Sequence, residues 1–274
     1  MDKKFISTMQ SNSRCLLCTR PNPKARLRLF CFHHAGGSTT VFHTWKDALP
    51  DDIELWVVRL PGRGDRAAEP PVKRIAPIVQ EVTEALVPFL NEPFALYGHS
   101  MGAAIAFETA RLVRRRHGVQ PERLLISSCQ APQRLYFALP TYDLPEADFI
   151  EELRRLKTTP QPLFDDPRLL MMMLPMIRSD VELLQTYEYL ADAPLDCPIT
   201  VFGGLQDQVV ALAGLMGWRN QTTAQAMLHL LPGDHFFINS YRQPFLELLS
   251  DELNAAIPRF NGGAAPGQAA WVIQ

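Results

Sequence analysis

The chain has 274 residues, 47% hydrophobic and 20% charged, values within the globular range that exclude disordered, collagen-like and fibrous classes. Twenty-seven Lys and Arg against 29 Asp and Glu leave a formal net charge of −2, so no overall cationic field exists to draw in nucleic acid. The longest apolar run, Leu169 to Ile177, contains Pro175 and is far short of the ~20 residues that span a bilayer, so no membrane partner is expected.

Residues 1–13 carry Lys3 and Lys4 and then Ser7, Thr8, Gln10, Ser11 and Asn12. Such a segment cannot form the apolar stretch of a signal peptide and is expected to be disordered. The five cysteines, Cys15, Cys18, Cys31, Cys129 and Cys197, are odd in number and scattered, unlike a secreted disulfide framework. A cytoplasmic protein is expected. Cys15-x-x-Cys18 is followed by no second such pair and no paired histidines at ligand spacing, so neither a metal nor another cofactor is expected.

From Leu27 onward, short apolar runs alternate with longer helical patterns. Leu27–Phe32, Ile53–Val58, Phe94–Tyr97, Leu124–Ser127, Ile199–Phe202 and Ala226–Leu231 read as buried strands. Between them, Ile75–Leu90 repeats its apolar residues at close to 3.6 spacing, and Met101–Val113 is a second, alanine-rich helix. Parallel strands need crossovers of a dozen residues or more, and these intervals supply them. The expected fold is therefore α/β, with a mostly parallel central sheet flanked by helices, over residues 14–257.

The alternation breaks between Pro140 and Pro194, where helical periodicity runs without a convincing strand. A helical lid inserted at about residues 141–193 is expected. Phe149, Leu153 and Leu156 repeat at i, i+4 and i+7, while Leu169–Leu174 with Met176 and Ile177 is apolar nearly all round, as for a helix packed on two sides. Its methionines suit an adaptable pocket or ordinary core equally. Residues 258–274, with Gly262-Gly263-Ala264-Ala265-Pro266-Gly267, are expected to form a disordered tail.

Gly98-His99-Ser100-Met101-Gly102 follows a strand and opens a helix, the context of the nucleophile elbow of α/β-hydrolases. Glycines at 98 and 102 permit a sharp turn that pushes the Ser100 hydroxyl out at the carboxyl edge of the sheet. A serine needs a base, and in this fold the order is serine, acid, histidine. His33, His34, His43 and His99 come too early, and His117 ends a helix; His229 lies within a strand, whereas His235 follows Leu231-Pro232-Gly233-Asp234 in a loop. His235 is the expected base. Asp207, reached from a strand through Gly203-Gly204-Leu205-Gln206, is the expected acid that fixes its tautomer. Asp234 competes, but adjacent residues of an extended loop point apart, which makes it a solvated turn residue. Met101, next after the nucleophile, would give one oxyanion N–H. The second would come from the glycine-containing loop Cys31-Phe32-His33-His34-Ala35-Gly36-Gly37-Ser38, from Ala35, with His34 the near alternative.

Taken together, Leu29–Gly37, Leu60-Pro61-Gly62-Arg63-Gly64-Asp65-Arg66, Gly98–Ala103, Pro198–Gly204 with Asp207, and Gly233-Asp234-His235-Phe236-Phe237 resemble the type II thioesterases of polyketide synthase and nonribosomal peptide synthetase systems, over about residues 14 to 256. The family usually has proline at His33 and more often glycine at Asp234. The resemblance implies an α/β-hydrolase with Ser100, Asp207 and His235 as catalytic residues. It also implies an editing activity, hydrolysing acyl groups from the phosphopantetheine arm of acyl or peptidyl carrier domains, and a protein acting in trans; a monomer is expected. A general carboxylesterase or lipase, or a noncatalytic carrier-binding protein, are the alternatives, because the triad itself does not distinguish ester from thioester. Arg111, Arg114, Arg115 and Arg116 could face an acidic carrier domain, but at a helix C-terminus they also complement the dipole while staying solvated. Arg63 and Arg66 fit loop geometry as well as substrate contact.

Overall fold

The computed structural model describes residues 13–135, 139–258 and 271–273. The six expected strands form, as β2 (Leu27–Phe32), β3 (Ile53–Val58), β4 (Phe94–His99), β5 (Arg123–Ser127), β6 (Ile199–Gly204) and β7 (Ala226–Leu231). They pair in parallel in the order β3-β2-β4-β5-β6-β7. Two further strands extend the sheet at its edges. β1 (Leu16–Arg20) runs antiparallel to β3 with a register shift between Cys18 and Arg20, and β8 (Trp271–Ile273) runs parallel to β7. Trp271–Ile273 therefore corrects the expectation of a wholly disordered tail. The disorder expected at 1–12 and 259–270 lies outside the described residues.

Alternation along each strand divides the core between the two faces of the sheet. Phe30, Trp56 and Leu96 point to one face. There they meet α1 (Ile75–Leu86), through Ile78 and Val82, and α2 (Met101–His117), through Ile105 and Phe107. Leu29, Val57, Ala95 and Tyr97 point to the other face, against Trp45 and against Phe245 and Leu249 of the C-terminal helix Arg242–Ala256. The inner strands β2 to β6 are covered on both sides, which is why their runs read as continuously apolar rather than alternating.

The chain turns from β2 to β3 on one side and returns to β4 on the other. That reversal opens a crevice at the carboxyl ends of β2 and β4, where ligands bind in open α/β sheets. Between β5 and β6 the insertion forms three helices: α3 (Glu146–Leu156), α4 (Gln161–Asp165) and α5 (Pro167–Gln185). Asp166 caps α5, its Oδ1 accepting from the N–H of Arg168 and Leu169 at 3.0 and 3.1 Å, with Pro167 at the first helical position. The insertion has its own apolar core, in which Leu170, Leu174 and Ile177 of α5 meet Phe149 and Leu153 of α3. The two-sided packing expected of Leu169–Ile177 is corrected: Met171 and Met172 are 45% and 72% exposed, because a single stripe of α5 meets the other helices. α6 (Leu212–Met216), α7 (Phe237–Ser240) and α8 (Arg242–Ala256) are the remaining α-helices among the described residues.

A buried polar knot ties three strands to α8. Glu252 accepts from Arg123 Nη1 of β5 at 2.6 Å and from Thr200 Oγ1 of β6 at 2.8 Å, and pairs with His229 Nε2 of β7 at 3.0 Å. Burial alone would raise the Glu252 carboxyl, and His229, Arg123 and Thr200 together outweigh it and hold the group below its usual range. A carboxyl depressed in the folded state stabilises above the unfolded value, ~4.3, and that contribution disappears as pH falls through the lower folded value. Glu252→Gln should thus lose on the order of 3 kcal/mol near pH 7. The gap in melting temperature between parent and variant should close as pH is lowered below ~4; thermal denaturation across pH checks both, and a constant gap would contradict the assignment.

Candidate active site

Ser100 sits between β4 and α2 with φ 55° and ψ −118°, a strained conformation for a residue with a Cβ. It is held there by its own N–H, which donates to Ser127 O at 2.8 Å, and by the Ala103 N–H, which donates to Ser100 O at 2.9 Å. The flanking glycines are needed for close approach. A Cβ at Gly98 would lie 2.3 Å from Gly102 O, and one at Gly102 would lie 2.2 Å from Phe32 O at the end of β2. The turn is therefore packed directly onto the neighbouring strand, and Ser100 faces the crevice.

The three residues proposed from chain order meet there. His235 Nε2 lies 3.0 Å from Ser100 Oγ, across 135 positions of sequence, and His235 Nδ1 lies 2.9 Å from Asp207 Oδ2. The second Asp207 oxygen, Oδ1, accepts from the backbone N–H groups of Val209 and Val210 at 2.8 and 3.1 Å. The side chains of His235 and Asp207 are 3% and 1% exposed. Burial pushes the Asp207 carboxyl up, but the His235 hydrogen bond and charge and the two backbone donors overcome it and leave the group below its usual range. An ionised Asp207 fixes the proton of His235 on Nδ1, leaving Nε2 free to accept the serine proton. Asp234 is exposed and its Oδ1 accepts from Phe236 N–H at 2.8 Å, a local turn bond.

Several supporting residues were not visible in the sequence. Ser128, with φ 45°, donates its hydroxyl to His235 O at 3.2 Å and its N–H to Phe202 O at 3.0 Å. It fixes the backbone that carries the base. His99 and His34 pack near His235, with the His99 and His235 ring centroids 5.4 Å apart, and Phe236 fills the space between them. Burial, aided by nearby positive charge, holds His99 well below the usual imidazole value and brings His34 down to about 4, so both stay neutral near pH 7.

Ala35, Ser100 and His235 open on one cavity of about 110 Å³, walled by Leu135, Leu153, Leu156, Ile177, Val181 and Leu184 among others. Met101, buried, begins α2 directly after Ser100. His34 faces the groove on the other side of the same loop. His33 bonds through Nδ1 to His34 O at 2.9 Å, bracing the loop from a side chain. Arg63 is buried and does not line the cavity: its guanidinium pairs with Asp180 of α5 at 2.7 and 2.6 Å. Arg66 is paired with Glu69 and Glu81.

Elsewhere, the expected solvation of the arginines at the end of α2 holds for Arg115 and Arg116, which are exposed, and is corrected for Arg111 and Arg114. Arg111 is buried beside Glu108, and Arg114 donates to Pro194 O, Ala193 O and Asp192; they hold down the chain that leaves the insertion. Arg115 also pairs with Asp192. His117 ends α2, and His229 is a strand residue stacked on Phe202. Burial pushes the thiols of Cys15 and Cys18 up to about 11 and about 12, and both cysteines are free. Among the described residues no group of three or more His, Cys, Asp or Glu is arranged to hold a metal ion, and no helix is long and apolar enough to cross a membrane.

The serine, carboxylate and histidine occur along the chain in the order used by α/β-hydrolases, which distinguishes this site from the two other families built on the same trio, and the sheet is of that class. Within it, the chain belongs to the thioesterase family, residues 27–253 matching the Thioesterase domain. It is 37% identical to the linear gramicidin dehydrogenase LgrE of Brevibacillus parabrevis, over 93% of this chain and 98% of that protein. It is 39% identical to the gramicidin S biosynthesis protein GrsT of Aneurinibacillus migulanus, over 86% of this chain and 92% of that one. Among solved structures, the type II thioesterase BorB from the borrelidin biosynthetic cluster superposes with a TM-score of 0.80 at 34% identity, covering 87% of this chain and 97% of that chain.

The contact between Gly102 and β2 is open to test. With Gly102→Ala the new methyl must displace Phe32 O or lift α2, so labelling of the serine by a fluorophosphonate should slow by roughly a hundredfold, the scale of a 1 Å misplacement. Unchanged labelling would mean that the elbow does not depend on this approach.

Proposed function

We propose that this protein is an editing thioesterase that removes acyl groups from the phosphopantetheine arm of carrier domains in polyketide or nonribosomal peptide assembly, acting in trans as a cytoplasmic monomer. The observation that carries this reading is the unbroken pair of hydrogen bonds from Asp207 through His235 to Ser100, ending on a largely apolar cavity able to take an acyl chain. Family membership and the similarity to GrsT, a gramicidin S biosynthesis protein, and to BorB, a type II thioesterase, support the assignment to such pathways.

In this mechanism Ser100 Oγ attacks the thioester carbonyl as its proton passes to His235 Nε2, and Asp207 stabilises the imidazolium. The oxygen of the tetrahedral intermediate is held by the N–H groups of Met101 and Ala35. Ala35 is favoured over His34 because it lines the cavity together with Ser100 and His235. The C–S bond then breaks, and His235 returns its proton to the departing sulfur. With a thiol pKa near ~8.5, that sulfur leaves more readily than an alkoxide. Water attacks the acyl-serine with His235 again as base, releasing a free acid and restoring Ser100. Helices α3 to α5 serve as the lid over the acyl chain, since Leu153, Ile177 and Leu184 form its walls.

The name of LgrE describes a dehydrogenase, an activity that stays with that protein. A dinucleotide-binding turn reads Gly-x-Gly-x-x-Gly. The turns after β2 and β4 here read His33-His34-Ala35-Gly36-Gly37-Ser38 and Gly98-His99-Ser100-Met101-Gly102.

Ser100→Ala should lose on the order of 10⁶ in kcat. Asp207→Asn should lose about 10⁴, while Asp234→Asn stays within about threefold, as for an exposed turn residue. Steady-state kinetics on an acyl-pantetheine thioester check all three, and a large loss at Asp234 instead would reassign the acid. On matched oxygen ester, acyl-pantetheine and acyl-carrier substrates, kcat/KM should rise in that order. A preference for the oxygen ester would favour a general carboxylesterase.

A further inference from the structure

The Ala35 N–H belongs to the His34–Ala35 peptide, and the opposite end of that peptide, His34 O, accepts from Gly37 N–H at 3.0 Å and bonds His33 Nδ1 at 2.9 Å. The next peptide is held at both ends as well. Its carbonyl, Ala35 O, bonds His34 Nδ1 at 2.8 Å, and its N–H, on Gly36, donates to Asp180 Oδ2 at 2.7 Å. Because Gly36 has φ 74°, where glycine has freedom that other residues lack, this loop needs outside contacts to hold a single orientation.

Those contacts come from one buried ion pair. Asp180 is 1% exposed and Arg63 8%. The Arg63 guanidinium meets both carboxylate oxygens, at 2.7 and 2.6 Å, and donates in addition to Gly37 O at 3.2 Å and Pro61 O at 3.4 Å. The fork geometry of arginine makes such a two-point grip directional. Asp180 lies on α5, the helix that also brings Ile177, Val181 and Leu184 to the acyl cavity. Ile177 itself covers Gly36, with its Cγ1 3.2 Å from where a Cβ would stand.

We propose that Arg63 and Asp180 are positioning residues that aim the Ala35 N–H at the reacting carbonyl oxygen, so that the helix lining the acyl cavity also sets the oxyanion donor. This rests on the reading of Ala35 as that donor. Seating of α5 against an acyl chain then governs the rate of attack rather than binding alone. An acyl group that displaces Ile177 or Val181 moves Asp180 less than one helical turn away, and with it the loop.

Two charge-free double variants separate positioning from packing, because replacing a buried ion pair by apolar residues of similar volume is often tolerated by the fold. Arg63→Gln with Asp180→Asn keeps an acceptor for Gly36 N–H. Arg63→Met with Asp180→Leu removes it. On an acyl-pantetheine thioester the apolar pair should lose about 10- to 100-fold in kcat with KM within about twofold, and the polar pair should stay within about threefold of the parent. Inhibition by an alkyl trifluoromethyl ketone, whose serine adduct carries an oxyanion, should weaken in step with kcat in the apolar pair alone. Equal losses in both pairs, a change confined to KM, or full activity in the apolar pair would overturn the proposal. Should the apolar pair fail to fold, Asp180→Glu takes its place: it keeps both charges but shifts the acceptor, and a kcat within about threefold of the parent would overturn the proposal, whereas a loss of about tenfold at unchanged KM supports it. Retained turnover in Ser100→Ala would instead bring down the underlying hydrolytic reading, whatever the pair does.

Discussion

The hydrogen bond between Ser100 Oγ and His235 Nε2 joins groups 135 positions apart at 3.0 Å, and most of the architecture can be understood as what closes that distance. The strands β4, β6 and β7 end at the same edge of a parallel sheet, so the loops that follow them converge without any long excursion. The reversal of strand order between β2 and β4 leaves the crevice open beside them. Strain at Ser100 and Ser128, both at positive φ, is sustained by the buried strands around them, where backbone hydrogen bonds over-determine the local geometry.

Much of this was legible in the sequence because the relevant signals are local. A strand buried on both faces reads as an apolar run, and a strand, a glycine-flanked serine and a helix in succession describe the elbow before any coordinates exist. Ser100, Asp207 and His235 each follow such a strand, which is why chain order was enough to propose them. β1 was not legible: Leu16–Arg20 is a short edge strand, mostly half-buried, whose apolar run ends at Cys18 and passes into Thr19 and Arg20. Nor was the one-sided burial of α5, whose Met171 and Met172 carry no sequence mark to separate them from the buried Leu170 and Leu174. The pairing of Arg63 with Asp180 spans 117 positions and exists only once the insertion is folded over the sheet, so the sequence offered just a loop arginine and one of two acids near the end of a helix.

The site combines two environments with different demands. On one side the cavity is largely apolar, suited to an acyl chain that pays little desolvation on entry. On the other, the loop after β2 is held by an ion pair and by two histidines that act as hydrogen-bonding braces. His99 and His34, kept neutral by burial, lie beside His235 without adding charge, so in the proposed mechanism Asp207 is the group that answers an imidazolium at His235. Preorganised donors and one compensating carboxylate are what electrostatic stabilisation of a tetrahedral intermediate requires.

The account stands most directly on Ser100 as the group that receives the acyl chain. Modifying the protein with one equivalent of a fluorophosphonate, locating the adduct by peptide mass spectrometry, and then following an acyl-loaded carrier domain by intact mass would test it. The account predicts a single adduct on Ser100 and carrier unloading that falls in proportion to the fraction modified. An adduct on another residue, or unloading that continues undiminished once Ser100 is blocked, would contradict it.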